Sequence, residues 1–192
     1  MNVLKYPLRN ISPQILLNLQ EHYPNASVNI KLSRKAQKDS LTEAGFWALI
    51  AQLDWSKSGD DNAVIAPLVR ALADSSFRHI VDFADILSHK LFLLDNEIYL
   101  SQDNLMDADF VADRFLYSRC CVVANGLTFF NHIRRHPTEM PHTLNFAALL
   151  RIPNEAFIKQ TGKPLDHVWA YPIETFSNTL GWSELNLTDK YA

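Results

Sequence analysis

The sequence Phe115-Leu-Tyr-Ser-Arg-Cys-Cys-Val-Val-Ala-Asn-Gly126 is an apolar run that contains one arginine and ends in an Asn-Gly pair. At helical spacing Phe115, Arg119 and Val122 lie on one face, so the arginine shares the stripe that we expect to be buried. Desolvating an unpaired charge costs several kcal/mol, so a buried guanidinium needs a partner. We therefore predict a central helix with Arg119 buried against a carboxylate from elsewhere in the fold.

The composition is typical of one globular domain with a modest appendage. The chain has 192 residues, 47% of them hydrophobic and 20% charged, which is enough for a sizeable core. A net charge of -3 predicts no bulk attraction to nucleic acid or to anionic membranes. Two local basic groups, residues 34–38 and the pair Arg134-Arg135, are interpreted as solvated surface.

The cysteines and the amino terminus predict a cytoplasmic protein. Cys120 and Cys121 are adjacent on a predicted helix, where they cannot form an ordinary disulfide, so we expect a reducing compartment. The first nine residues lack the apolar segment of a signal peptide, and the aliphatic runs are too short to span a bilayer.

The overall pattern predicts a mainly α fold (α+β), a multi-helix globular bundle with a small N-terminal β-α-β appendage. The appendage occupies residues 1–38, and the helical domain with an irregular C-terminal tail occupies 39–192. Its helices are predicted at 41–53, 63–73, 77–94, 107–125 and 127–135, followed by helical turns at 146–150 and 154–160 and short strands near 168–171.

Local signals mark several of these boundaries. Ser40-Leu-Thr-Glu43 is typical of a capping box at the start of the first helix of the domain. Pro67 favours a late start for the second, because proline removes a backbone donor. Gly126 is expected to be a left-handed cap.

A narrow polar strip on the helix at 77–94 contains Arg78, Asp82, Asp85 and His89. The favoured interpretation is a solvent edge with the i,i+4 pairs Arg78/Asp82 and Asp85/His89. In the alternative, Asp82 or Asp85 accepts Arg119 in a cleft, and His89 transfers protons there. No nucleophile or oxyanion hole accompanies these residues. We therefore assign no catalytic residue and keep these four as candidates for the alternative.

The loop Asp54-Trp-Ser-Lys-Ser-Gly-Asp60 is spaced like the start of a calcium loop, but its twelfth position is Ile65, where a bidentate Glu is needed. We expect Gly59 to adopt a positive φ, and Asp60 or Asp61 to cap the next helix.

Zinc chemistry is equally poorly supported. His132 and His136 have a zinc-compatible spacing, yet they lack the glutamate of hydrolytic motifs and flank two arginines. We therefore predict no metal and no cofactor.

Five blocks of sequence resemble a bacterial family known as domain of unknown function 4240. These blocks are Gly45–Ile50, Leu53–Asp61, Phe83–Leu91, Phe115–Gly126 and Glu174–Trp182. The resemblance covers about residues 42–150, with a weaker echo in the tail. It implies a bacterial, cytosolic, largely helical domain without an established activity. Its motif positions are Trp55, Lys57, Gly59, Asp60, Asp85, Lys90, Tyr117, Arg119, Asn125 and Gly126.

Two functional hypotheses follow. The preferred one is a protein-binding module, with an immunity protein that neutralises a cognate toxin as the specific expectation. It depends on mild acidity, four Trp and the lack of an assembled catalytic set. The alternative is an enzyme or a small-ligand-binding regulator with an Asp/His/Arg cleft. The predicted partner is another protein, not nucleic acid or a membrane, and the binding candidates are Trp55, Lys57, Asp60, Asp61, Tyr117 and Arg119.

Overall fold

The computed structural model describes residues 39–100 and 112–182 of the chain. By its contacts the chain divides into residues 1–36 and 37–192, and every described residue lies in the second unit. The predicted β-α-β appendage and the first turn of the helix predicted at 107–125 lie outside the described residues.

In these two segments the chain forms α-helices and short 3-10 helices but no strand, which confirms the mainly helical prediction. The α-helices are α1 (Glu43–Ile50), α2 (Asp61–Ala73), α3 (Phe77–Leu93), α4 (Ala112–Ala124), α5 (Gly126–Arg135) and α6 (Ile152–Thr161). The 3-10 helices are Trp55–Lys57, Glu97–Tyr99, Pro137–Glu139, Ala147–Arg151 and Thr179–Gly181. None of the α-helices in the described segments is long and apolar enough to cross a bilayer.

The start of α1 differs from the prediction because of a tertiary hydrogen bond. The capping residue is Thr42, whose hydroxyl accepts from the amide of Gly45 at 3.1 Å. The predicted capping box beginning at Ser40 is wrong, and α1 begins at Glu43 rather than at residue 41. The amide of Leu41 donates to Asp82 on α3 at 3.0 Å, which holds this part of the chain outside the helix.

The late start predicted for α2 is also wrong, since α2 begins at Asp61 and contains Pro67. A proline inside a helix costs about 3 kcal/mol. Burial of Val64, Leu68 and Leu72 stabilises by roughly 1.5–3 kcal/mol each, so the packing of α2 outweighs that cost. As predicted, Asp60 caps the helix, and its carboxylate accepts from the amide of residue 63 at 3.1 Å.

Helix α3 lies at the centre of the described fold, as the narrowness of its polar strip indicates. It contacts α1, α2, α4 and α6. Its Phe83 is fully buried and lies 5.0 Å from the ring of Phe46 on α1, measured between ring centres. Gly126, the first residue of α5, has the predicted positive φ of 87° and lets the chain turn from α4 into α5.

The C-terminal strap, residues 163–182, runs along α3 in the same direction as the helix. His167 contacts Asp85, the amide of Tyr171 donates to Ser88, and the amide of Asn178 donates to Asp95. The short strands predicted near 168–171 do not form. The strap amides that donate to Asp85, Ser88 and Asp95 find side chains of α3 and of the residue that follows it, not a neighbouring strand.

Candidate functional site

Arg119 lies at the centre of the described fold, on α4, and it is fully buried as predicted. One terminal nitrogen donates to the carbonyl of Leu91 at 3.0 Å. The other donates to the carbonyl of Ile173 and to the hydroxyl of Thr175, each at 3.0 Å. The guanidinium therefore joins α4 to the end of α3 and to the C-terminal strap.

The carboxylate that meets Arg119 is Asp95, at 3.8 Å, so the predicted pairing with Asp82 or Asp85 is wrong. Arg119 bonds the carbonyl of Leu91, which lies in the last turn of α3. At 1.5 Å per residue, Asp85 lies about 9 Å and Asp82 about 14 Å further back along the helix axis. Neither of them reaches the guanidinium.

Asp95 follows the end of α3, and it is fully buried. One carboxylate oxygen accepts from the amide of Phe176 at 3.1 Å and from the indole nitrogen of Trp182 at 3.2 Å. The other accepts from the amide of Asn178 at 2.9 Å. These donors and Arg119 thus give both oxygens of the buried carboxylate a partner.

The Asp95–Arg119 pair is closed to ligands. Burial lowers the pKa of Arg119, and the charge of Asp95 opposes this effect. The guanidinium carbon lies 5.1 Å from the ring centre of Phe115, and its Nε atom has no hydrogen-bond partner among the described residues. The pair is therefore a structural part of the core, and Arg119 does not face solvent.

The polar side chains on the strip of α3 contact other residues of the same chain. Asp82 is 4% exposed and pairs with Arg78 at 2.9 Å, which confirms that predicted i,i+4 pair. The predicted Asp85/His89 pair is wrong. The carboxylate of Asp85 lies 2.8 Å from the ring nitrogen of His167 in the strap.

His89 stacks on the strap, with its ring centre 4.6 Å from that of Tyr171. Burial and the neighbouring charge of Lys90 lower the pKa of His89, which favours the neutral ring. Asp82, Asp85, His89 and Arg119 are thus held by separate contacts, and in the described part of the chain they do not converge on an open cleft. The catalytic alternative has no assembled site at these residues.

Lys90 is buried and forms a cluster of contacts that helical periodicity does not predict. It is 5% exposed, its ammonium lies 2.5 Å from the carboxylate of Glu43, and it faces the rings of Trp47 at 5.8 Å and Phe130 at 5.6 Å. Its hydrogen bond lowers the pKa of Glu43. The cluster joins α1, α3 and α5. The available signal was the position of Lys90 between apolar residues on a nearly enclosed helix.

Trp55 is the exposed aromatic among the predicted binding residues. Its side chain is 41% exposed, and its ring centre lies 5.0 Å from that of the buried Phe146. The amide of Phe146 donates to the carbonyl of Tyr117 at 3.2 Å, so the structure brings Trp55 and Tyr117 to one region. Leu144, which is 55% exposed, is tied to the same region through Ser118, whose hydroxyl donates to its carbonyl at 2.9 Å.

The loop around Trp55 is ordered by its own polar groups. Asp54 accepts from the amide and hydroxyl of Ser56 at 3.2 and 2.6 Å, and Gly59 has the predicted positive φ of 102°. Lys57, Asp60 and Asp61 are exposed. We call this region the Trp55 surface, and it consists of Trp55, Lys57, Asp60, Asp61, Tyr117 and Leu144.

The remaining histidine and cysteine candidates are paired with neighbouring side chains or are buried. His132 lies 2.7 Å from the carboxylate of Glu139, and its ring centre lies 4.7 Å from that of His136. Burial raises the pKa of the Cys120 thiol to about 12, so this cysteine is inert. Across residues 39–100 and 112–182, no group of three or more His, Cys, Asp or Glu side chains is arranged to hold a metal ion.

Comparison with known proteins gives one match. No curated protein and no solved structure matches the chain. The family described as "Protein of unknown function (DUF4240)" matches residues 41–159. This match includes the Trp55 loop, Lys90, Asp95 and Arg119, and it ends before the C-terminal strap. Because it spans more than half of the chain, the protein belongs to the DUF4240 family.

Proposed function

We propose that this chain is a protein-binding module that uses the Trp55 surface, and specifically an immunity protein that binds and neutralises a cognate toxin. The observation that carries the proposal is the exposure of Trp55, at 41%, on an ordered loop that also presents carboxylates. Tryptophan is among the residues that contribute most free energy to protein interfaces.

The loop is rigid enough to bind without a large loss of conformational freedom. The amide of Asp54 donates to the carbonyl of Val64 at 3.0 Å, which fastens the loop to α2. Asp54 and Asp60 also accept hydrogen bonds from amides within the same segment. Side chains and loops that are already ordered lose less entropy on association, so Trp55 is available as an anchor.

The charge of the loop indicates what kind of protein would bind. Asp54, Asp60, Asp61 and Lys57 together carry a net charge of -2, and the whole chain carries -3. Opposite charges across an interface accelerate encounter and disfavour other partners. The proposed partner therefore presents an apolar pocket for Trp55 bordered by basic residues.

The test is co-expression with the products of neighbouring genes, followed by co-purification and a growth-rescue assay. We expect one neighbour to be toxic alone, to co-purify with this chain and to be neutralised by it. Trp55→Ala should weaken binding by at least about tenfold and abolish rescue.

Phe77→Ala is the matched control. Phe77 is 52% exposed and lies 5.5 Å from the ring centre of Phe157, so it is also a half-exposed aromatic that packs on one ring. This variant should bind and rescue like the wild type. If no neighbour binds or none is toxic, the immunity function is wrong. If a partner binds Trp55→Ala as tightly as the wild type, the assignment of the surface is wrong.

A further inference from the structure

A surface cavity of about 350 Å³ lies beside the last turns of α5, lined by Asn131, Arg134 and Arg135. The sequence alone favours solvated surface for this arginine pair. Neighbouring residues on a helix point about 100° apart, so two successive arginines do not ordinarily line one cavity. Here they do, with the amide of Asn131 beside them.

The two guanidinium groups are positioned by other atoms but are not neutralised. Arg135 donates through Nε to the carbonyl of Asn131 at 3.0 Å, a contact that leaves its two terminal amino groups available. The guanidinium carbon of Arg134 lies 5.8 Å from the ring centre of Phe130. None of the ion pairs between described residues includes either arginine, and the carboxylates of Glu43 and Glu139 are paired with Lys90 and His132.

The positive potential of Arg134 acts on its surroundings. Burial is the largest cause of the lowered pKa of His89, and the charge of Arg134 adds to it. The charge of Arg134 and its side-chain hydrogen bond to Tyr99 partly oppose the rise that burial causes in the pKa of Tyr99. Arginines in the last turn of a helix also interact favourably with the carbonyl end of the helix dipole. That effect explains one arginine at this place, but it requires neither a second one nor a shared cavity.

We propose that this cavity binds a small phosphate ester. Guanidinium groups recognise phosphate oxygens through paired N–H donors, and the amide of Asn131 can donate a further hydrogen bond. The volume is near the lower end of small-molecule sites, which span roughly 300–1,000 Å³, so it accommodates a phosphoryl group with a small substituent. The site shares no residue with the Trp55 surface.

The test is calorimetric titration of the full-length protein with glycerol phosphate, and separately with inorganic phosphate. We expect saturable binding of glycerol phosphate that is tighter than that of inorganic phosphate. Arg134→Gln and Arg135→Gln should each raise its dissociation constant about tenfold or more, because each removes a charged donor.

Arg70→Gln is the matched control, since Arg70 is an exposed arginine in the last turn of α2. It should leave the dissociation constant unchanged, and thermal unfolding should show that all three variants are folded. Absence of saturable binding, or equal weakening by Arg70→Gln, would overturn the site. Equal affinity for the two probes would overturn the assignment to an ester. Neither result bears on toxin binding, which is measured by partner capture.

Discussion

The end of α3 and the Trp55 surface use polar and aromatic residues in opposite ways. At the end of α3, Asp95 and Arg119 are ionisable yet fully buried. Their burial is tolerated because the C-terminal strap supplies hydrogen-bond donors to Asp95 and acceptors to Arg119. Around Trp55 the aromatic ring is exposed and the carboxylates of Asp60 and Asp61 face solvent. The first region satisfies its polar groups from within the chain. The second leaves an ordered apolar group that a partner can cover.

Whether a polar or aromatic side chain is enclosed by the chain or exposed indicates its role more reliably than the residue type does. A buried ion pair held by several hydrogen bonds is a part of the core whose disruption is costly, although its formation contributes little net stability. An exposed tryptophan on an ordered loop contributes little to folding and much to binding. We therefore expect substitutions in the first region to change stability, and substitutions in the second to change association.

The largest effect is expected from Arg119→Met. The variant leaves the buried carboxylate of Asp95 without its cation and removes the hydrogen bonds to Ile173 and Thr175. Removing one member of a buried pair costs about 3–5 kcal/mol of unfolding free energy. Urea denaturation measures this change. Arg70→Met, at an exposed position, should stay within about 0.5 kcal/mol of the wild type. An unchanged stability of Arg119→Met would show that the pair does not hold the strap.

Gly181→Ala should have the next largest effect, by disturbing the strap directly. A Cβ atom at Gly181 would lie 2.6 Å from the carbonyl oxygen of Asp95, which is closer than atoms can approach without a backbone shift. Overpacking of this kind costs about 1–3 kcal/mol. The same denaturation experiment measures it. Leu180→Ala, at a side chain that is 98% exposed, is the neighbouring control and should be nearly neutral. Equal stability of the two variants would contradict a tightly seated strap.

Trp55→Ala should change the unfolding free energy by only about 1 kcal/mol, because much of the side chain is already in water. The same variant should weaken partner binding by at least about tenfold, which is about 1.4 kcal/mol or more. Denaturation and partner capture, measured on one preparation, test the contrast between the two regions. A loss of stability as large as that of Arg119→Met would place Trp55 in the core and would remove the basis of the proposed surface.

The smallest effect is a dependence of stability on pH that comes from His89. Burial and Lys90 lower its pKa in the folded state. Above its ordinary value of about 6.5 the ring is neutral in both states. As the pH falls below that value the unfolded chain binds the proton first, so stability decreases until the folded-state pKa is passed. Urea denaturation at about pH 7.5 and about pH 5.5 detects the loss. His89→Phe, which keeps an aromatic ring against Tyr171, should show a smaller loss than the wild type.

Several features of the fold follow from local signals that can be identified without coordinates. The helix at α3 agrees with the prediction to within one residue, and the cap at Asp60 and the positive φ of Gly59 and Gly126 are confirmed. Burial of Arg119 is confirmed as well. Each of these depends on residues close together in the sequence, for which spacing and backbone sterics are sufficient.

The remaining features depend on contacts between distant segments. The amide of Leu41 bonds a carboxylate 41 residues away, and this displaces the start of α1. The amides of the strap donate to side chains of α3 and to Asp95, not to a neighbouring strand. A strand pattern in the sequence therefore could not predict the path of the strap. For the same reason the sequence alone favours solvent or a cleft beside the polar strip of α3, where the strap lies.

The sequence by itself determined that the described part of this protein is helical, that α3 and α4 are central, and that Arg119 is buried. Only the tertiary structure decided that Asp95 meets Arg119, that the strap covers the polar strip, and that Trp55 stays exposed. The physical reason is that the apolar period of a helix is a local property. The partner of a buried charge depends on which segments fold against it, and Arg119 bonds the strap 54 and 56 residues away.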